Sequence, residues 1–351
     1  MQSFGIGSGD PSGVVGALEQ LEALREPLTS DMSIESLEQF EASWKSALDE
    51  LMAAPLTGSE ARRIAAFQRD IGLLPKYKSY AIKASSPLGY SVFFQEPGQG
   101  FSFQQHRHHK VEIFHVLDVT PGAFALICTL DEWNASYERD AFSRWLEGSD
   151  NPLYERWRIP LCPGDVICLK KTGIVHSVIG CVLEEFATIS TDMVDRLHDQ
   201  NEGASIPAFY CRELAQQLLR LLPSPSTSQS VSVRDKTRHE LARQGFAGGD
   251  IATIGEVPGL RASRIRLEGK RRSPLQKSED QAQVLFASRG DAYLLLGTEA
   301  ELAHQDPPSL ELPKGTAAMI PPGMSYQIAA LGPEVEISLH SIRPEVALTK
   351  G

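Results

Sequence analysis

The chain has 351 residues, an apolar content of 42% and a formal net charge of −11. That is enough apolar residue for two ordinary buried cores, and the acidic balance disfavours nucleic acid, since the richest basic cluster is only Lys270-Arg271-Arg272. No apolar run reaches the roughly 18 to 20 residues that cross a bilayer, and the segment from Met1 to Gly16 is Gly- and Ser-rich without a basic or apolar leader. A cytoplasmic protein with no membrane partner is expected. Five cysteines (Cys128, Cys162, Cys168, Cys181, Cys211) form no CxxC pair, so neither a disulfide framework nor a thiolate zinc site is indicated.

In chain order, residues 17–74 read as helical. Ser33 is placed to cap a helix carrying Leu37, Phe40, Trp44, Leu48 and Leu51 at three- and four-residue spacing, and a second helix runs from Ser59 to Leu74. These helices are expected to form a structural collar on the outside of the domain that follows. From Tyr80 to Ser190 the pattern turns to short β-rich runs broken by Pro, Gly and Asp, which indicates a sandwich or small barrel. One interruption, Asp131 to Trp157, is charged and rich in large aromatics, and is expected to lie as a lid over the barrel mouth. A helix near Phe209 to Leu222 leads into a Pro/Ser-rich stretch, 223–230, read as a flexible linker. Beyond it a helix near Arg234 to Gln244 precedes a second β-rich stretch, Ile251 to Ile342. The expected domains are a helical segment (1–79), a metal-binding barrel (80–205), a helix and linker (206–250), and a second barrel (251–351).

The two β-rich stretches form a weak internal repeat. Val111–Leu117 aligns with Ala282–Ser288, and Thr172–His176 with Pro322–Tyr326. On this register His106, His108, Glu112 and His176 fall opposite Lys277, Glu279, Gln283 and Tyr326, so the second copy is expected to lack metal ligands.

Those four residues carry the chemistry. His106 and His108 are two apart and share a strand face, and Glu112 keeps the same parity. His176 follows a turn at Pro163-Gly164-Asp165, a short strand and a second turn at Gly173. Imidazole and carboxylate together suit Zn²⁺, Mn²⁺, Fe²⁺, Co²⁺ or Ni²⁺, with positions left for water or substrate. His109 and His115 have the opposite parity and are not expected to be ligands.

The spacing of Gly100, His106, His108 and Glu112, with His176 after a glycine turn, resembles the cupin superfamily. Two positions depart from its pattern: Val119 stands where a glycine is usual and Lys171 where a proline is usual. The resemblance implies a mainly β fold of two cupin (jelly-roll) barrels, the second degenerate, with an N-terminal helical segment and connecting helices, and a homodimer paired through strands. The run from Glu184 to Asp199 resembles the barrel end of sugar-isomerase cupins of the D-lyxose isomerase type, with Ala187 in place of their serine. A metal-bearing barrel followed by a degenerate one is also similar to type I phosphomannose isomerases. The activity implied is aldose–ketose isomerisation of a lyxose- or mannose-like sugar or sugar phosphate through an enediolate, with a divalent Zn, Mn or Fe ion as cofactor. Such chemistry needs a Lewis acid and a proton-moving carboxylate. Glu185 is the candidate base, although parity leaves Glu184 open as the inward residue, and Lys110 or Lys171 is the candidate for stabilising enediolate charge. Trp133, Trp145 and Trp157 could stack on a sugar ring. Two other readings share the ligand set: an Fe(II) dioxygenase, and a non-catalytic carbohydrate-binding bicupin.

Overall fold

The computed structural model describes residues 11–25, 33–78, 81–107, 110–170, 172–188, 194–199, 212–223, 229–231 and 238–342. Three helices open it: α1 (Pro11–Ala23), α2 (Ile34–Met52) and α3 (Gly58–Ile71). The Ser33 hydroxyl accepts from Ser36 N to start α2, and Thr57 with Glu60 forms a capping box for α3. α3 stops at Gly72, whose φ of 76° is open to glycine, so Leu74 begins a strand rather than ending the helix expected there.

The first barrel is built from β1 (Leu74–Lys78), β2 (Ala81–Ser85), β3 (Tyr90–Gln95), β4 (Phe103–His106) and β5 (Glu112–Thr129), then helices α4 (Leu130–Ser136), α5 (Arg139–Leu146) and α6 (Pro152–Glu155), then β6 (Arg158–Pro160), β7 (Val166–Leu169), β8 (Ile174–Ala187) and β9 (Val194–His198). Its sheet runs β1-β2-β3-β8-β5-β7, with β4 joined to β8 and β9. β5 and β8 are long strands that bend together: the register shifts between Val119 and Phe124, opposite Gly180. Gly180 sits at φ 71°, and a Cβ there would lie 2.5 Å from Thr120 Oγ1, so the corner needs a residue without one. Alternation then sorts β5. Phe114 and Val116 enter the barrel core with Phe93, Phe101 and Leu183, while Ile113 and Leu117 point outward into a second core.

After α7 (Arg212–Arg220), β10 (Gln229–Val231) and β11 (Arg238–Glu240) add to the first sheet, β10 beside β7. The end of the expected linker is thus a strand, and the described part of the expected Arg234–Gln244 helix is β11 and the start of β12 (Arg243–Phe246). Pairing with neighbouring strands overrides the helical spacing read there. The second barrel continues through β13 (Gly249–Val257), β14 (Leu260–Glu268), β15 (Gln276–Lys277), β16 (Ala282–Arg289), β17 (Ala292–Gly297), α8 (Glu299–Leu302), β18 (Ser309–Leu312), β19 (Ala317–Ile320), β20 (Ser325–Ala330) and β21 (Glu334–Ile342). Its two sheets run β12-β13-β14-β21-β16-β19 and β15-β20-β17-β18. The fold is mainly β, a pair of jelly-roll barrels with helices at the N-terminus and between them.

Two expectations about position are corrected. α3 does not collar the first barrel alone: Ala61 and Ala65 pack into the core of the second, and Arg62 Nη1 donates to Leu296 O (3.0 Å) and pairs with Glu301 (3.1 Å). The 131–157 insertion is not a lid. Trp133, Phe142, Trp145, Tyr154 and Trp157 form an aromatic cluster against Phe103, Leu126 and Val175, on the outward-facing residues of β4, β5 and β8.

The barrels meet across the outward residues of β3, β5 and β8 and those of β14, β16 and β21. Tyr90 packs on Phe186 and Phe286, each 5.4 Å between centroids. In the same seam Glu184 accepts from Tyr90 Oη (2.9 Å), Arg264 Nη2 (2.6 Å) and Ser338 Oγ, and His115 Nδ1 lies 2.9 Å away. Burial alone would raise the Glu184 carboxyl; the Arg264 guanidinium, His115 and Ser338 outweigh it and hold it down at about 2.

Candidate metal centre

β4 reaches the centre through one pairing, Gln104 opposite His176 on β8, and β5 begins beside it with Glu112 opposite Ala187. The result brings His106, Glu112 and His176 together, exposed by 3%, 1% and 2%. Glu112 Oε2 is 3.2 Å from His106 Nε2 and 3.1 Å from His176 Nε2. His108, the fourth expected ligand, lies outside the described residues with His109 and Lys171.

The protonation pattern favours a cation here. His176 Nδ1 donates to Ile174 O (3.0 Å), which leaves Nε2 as a bare lone pair with no hydrogen-bond partner among the described residues. A lone pair facing a carboxylate oxygen at 3.1 Å, away from water, is repulsive unless positive charge sits between them. Imidazole nitrogens and a carboxylate oxygen are the donor set of Zn²⁺, Mn²⁺ or Fe²⁺. His106, Glu112 and His176 form the one such cluster found among the described residues.

Positive side chains surround the carboxylates. Lys110 Nζ is 2.5 Å from Glu112 Oε1 and 3.4 Å from Glu185 Oε1, and Lys83 Nζ is 2.9 Å from Glu185 Oε2. Burial by itself would raise the Glu112 carboxyl; Lys110 and His106 overcome it and hold Glu112 well below the ordinary carboxylate range. Burial pushes Lys110 down, but Glu112 and Glu185 outweigh it and raise it.

Parity, left open by sequence, is resolved by the bend at Gly180. Glu185 points into the barrel at 4% exposure, and Glu184 points into the seam between barrels. His115 faces the same seam, away from His106, Glu112 and His176. A cavity of about 120 Å³ lies beside Glu112, walled by Phe93, Phe101 and Phe114 and rimmed by Lys83, Gln104, Lys110, Glu185 and Arg196. None of Trp133, Trp145 and Trp157 lines it. Lys83, Gln104 and Arg196 were not singled out from sequence. Lys83 stands on β2, before the motif begins, and only strand pairing brings it in.

The second barrel has no equivalent cluster among its described residues, and its register is one residue off the sequence alignment. Gln276 pairs with Tyr326 as Gln104 pairs with His176, so Ser278, not Lys277, occupies the place of His106. Ser278 is 1% exposed, whereas Lys277 points to solvent and pairs with Glu299. The connection to β16 is one residue shorter than its counterpart and turns tightly through Glu279 at φ 38°. Gln283 and Tyr326 stand where Glu112 and His176 do.

No family model matches this chain, and no curated protein matches it. Solved structures similar to it include the oxalate decarboxylase of Lactobacillus farciminis in its formate complex, with 11% identity over 78% of this chain and 84% of that one, TM-score 0.44. The coconut allergen cocosin is 10% identical over 77% and 85%, TM-score 0.47, and the vicilin of Solanum melongena 12% over 78% and 83%, TM-score 0.47. The chain's own topology and side chains define its class: a double jelly-roll barrel whose first half gathers a buried His/Glu/His set.

Proposed function

We propose that the first barrel is the active site of a metal-dependent sugar or sugar-phosphate isomerase that interconverts aldose and ketose through an enediolate. The observation that carries this reading is the shared cavity: Glu185 faces the same space as Glu112, and the pair is bridged by Lys110. His106, Glu112 and His176, with His108, would hold a divalent ion. That ion would supply Lewis acidity toward a carbonyl and its neighbouring hydroxyl. Glu185 is the group that takes a proton from one carbon and returns it to the next. Lys83 and Lys110 hold that carboxylate in place, and Lys110 offers positive charge where the enediolate develops. The phenyl wall excludes water from the exchanging proton.

The test is NMR of metal-loaded protein with a panel of aldoses and ketoses, with and without phosphate, under anaerobic conditions. Interconversion is expected, and Glu185→Gln should lower its rate by about 10² to 10⁴ while keeping the metal. A Glu185→Gln variant with unchanged turnover would remove the assigned base.

A second reading draws on the size and lining of the cavity. About 120 Å³ with three phenyl walls suits a small substrate and O₂ at an Fe(II) centre, as in a dioxygenase. Turnover that appears only when O₂ is admitted would select it, and sugar binding without turnover in either atmosphere would select a carbohydrate-binding barrel.

A further inference from the structure

We infer that the substrate does not end in the metal cavity but continues into a second compartment, walled on one side by α2, that binds a neutral, hydroxyl-rich moiety. This rests on the isomerase reading for the reacting end of the molecule and adds the site for its far end. The compartment has a volume of about 450 Å³, within the range of about 300 to 1,000 Å³ usual for small-molecule sites, whereas the metal cavity at about 120 Å³ is below it. Lys83, Lys110 and Glu185 line both, so they form the waist between them.

Strand register explains the continuity. Phe114 pairs with Glu185, Glu185 with Ser91, and Ser91 with Ser85, so one cross-strand row passes from the metal cavity through the waist to the compartment. Ser91 is 3% exposed and lines the compartment. Facing this row, α2 presents Glu38, Glu41 and Lys45 at helical spacing, with Trp44 beside them. The indole Nε1 of Trp44 is buried and has no partner among the described residues.

This lining selects a chemistry. Carboxylates and ammonium groups alternate with hydroxyls, so each group of a polyol finds an acceptor or a donor. A phosphate at the far end would meet Glu38 and Glu41 with only Lys45 to offset them, and an acyl chain would strip water from these charges with no return. A sugar ring or open polyol chain has neither fault.

The experiment compares D-mannose with D-glyceraldehyde, which is too short to reach past the waist, by ligand-observed NMR titration of the metal-loaded full chain. Ala42, exposed on α2 and lining the compartment, is replaced by Trp to fill it. Ser91→Ala is the second variant, which removes a hydroxyl without adding bulk. Ala42→Trp should weaken D-mannose by about tenfold or more, Ser91→Ala by a smaller factor, and both should leave D-glyceraldehyde unchanged. Equal effects on the two sugars, no effect on D-mannose, or no D-mannose binding by the wild-type chain would overturn the inference. Because binding is read, the outcomes separate: length-dependent binding without interconversion sinks the isomerase reading alone, and interconversion insensitive to both variants sinks the second compartment alone.

Discussion

At the scale of residues, the chain separates two neighbouring carboxylates into different jobs. Glu185 enters the metal-side cavity and Glu184 the seam between barrels, one strand position apart. The seam also holds His340, packed against Tyr90 and Phe186, whose burial pushes it down from 6.5 to about 3. It therefore stays neutral in the folded chain while the unfolded chain takes up a proton near 6.5. Its contribution to stability is complete above that value and is lost as pH falls below it, at up to about 1.4 kcal/mol per pH unit. Burial lowers His115 in the same sense, and Glu184 adds to the loss below its usual value of 4.5. Denaturant titrations of metal-free protein from pH 7.5 to 5 should show falling stability, with a shallower slope in His340→Phe. Equal slopes in the two proteins would contradict this.

At the scale of elements, much was legible. Ser33 as a cap, the two long N-terminal helices and the change to short strands near residue 80 follow from spacing and turn chemistry, which act locally. His106, Glu112 and His176 come together as the motif led one to expect, but from the ends of three strands, β4, β5 and β8, so shared parity along one strand is not what gathers them. What escaped was set by distant partners. Lys83 and Arg196 come to the cavity by pairing across β2, β3, β8 and β4, β9, and nothing near them in sequence signals it. The aromatic insertion had the composition of a ring-stacking lid, yet those rings serve a core of their own. Trp133, stacked on Tyr137 at 4.5 Å and 2% exposed, should cost about 3 to 5 kcal/mol when changed to Ala and leave metal affinity unchanged. Calorimetric unfolding and metal titration of one variant check both halves, and lost metal affinity in a folded protein would restore the lid.

For the whole molecule, the repeat was visible but its register was not, because a one-residue difference between β15 and β16 moves Ser278 into place of Lys277. The second barrel holds no such cluster among its described residues and does structural work: it receives Ala61 and Ala65 from α3 and closes the back of the first barrel. Arg264 ties the two, ion-paired to Glu184 at 2.6 Å and 9% exposed. Arg264→Ala leaves Glu184 buried without its cation and should destabilise the entire chain by about 3 to 5 kcal/mol. Differential scanning calorimetry should show one transition moved down, and two separated transitions would mean that the barrels unfold independently.

The most direct test of the metal centre is calorimetric titration of chelator-treated protein with Mn²⁺ and Zn²⁺, beside Glu112→Gln and His176→Ala. The expected result is one tightly bound ion per chain in the wild type and loss of tight binding in both variants, with the fold retained by circular dichroism. Full-stoichiometry, undiminished binding in either variant would contradict the assignment of this cluster as the metal site.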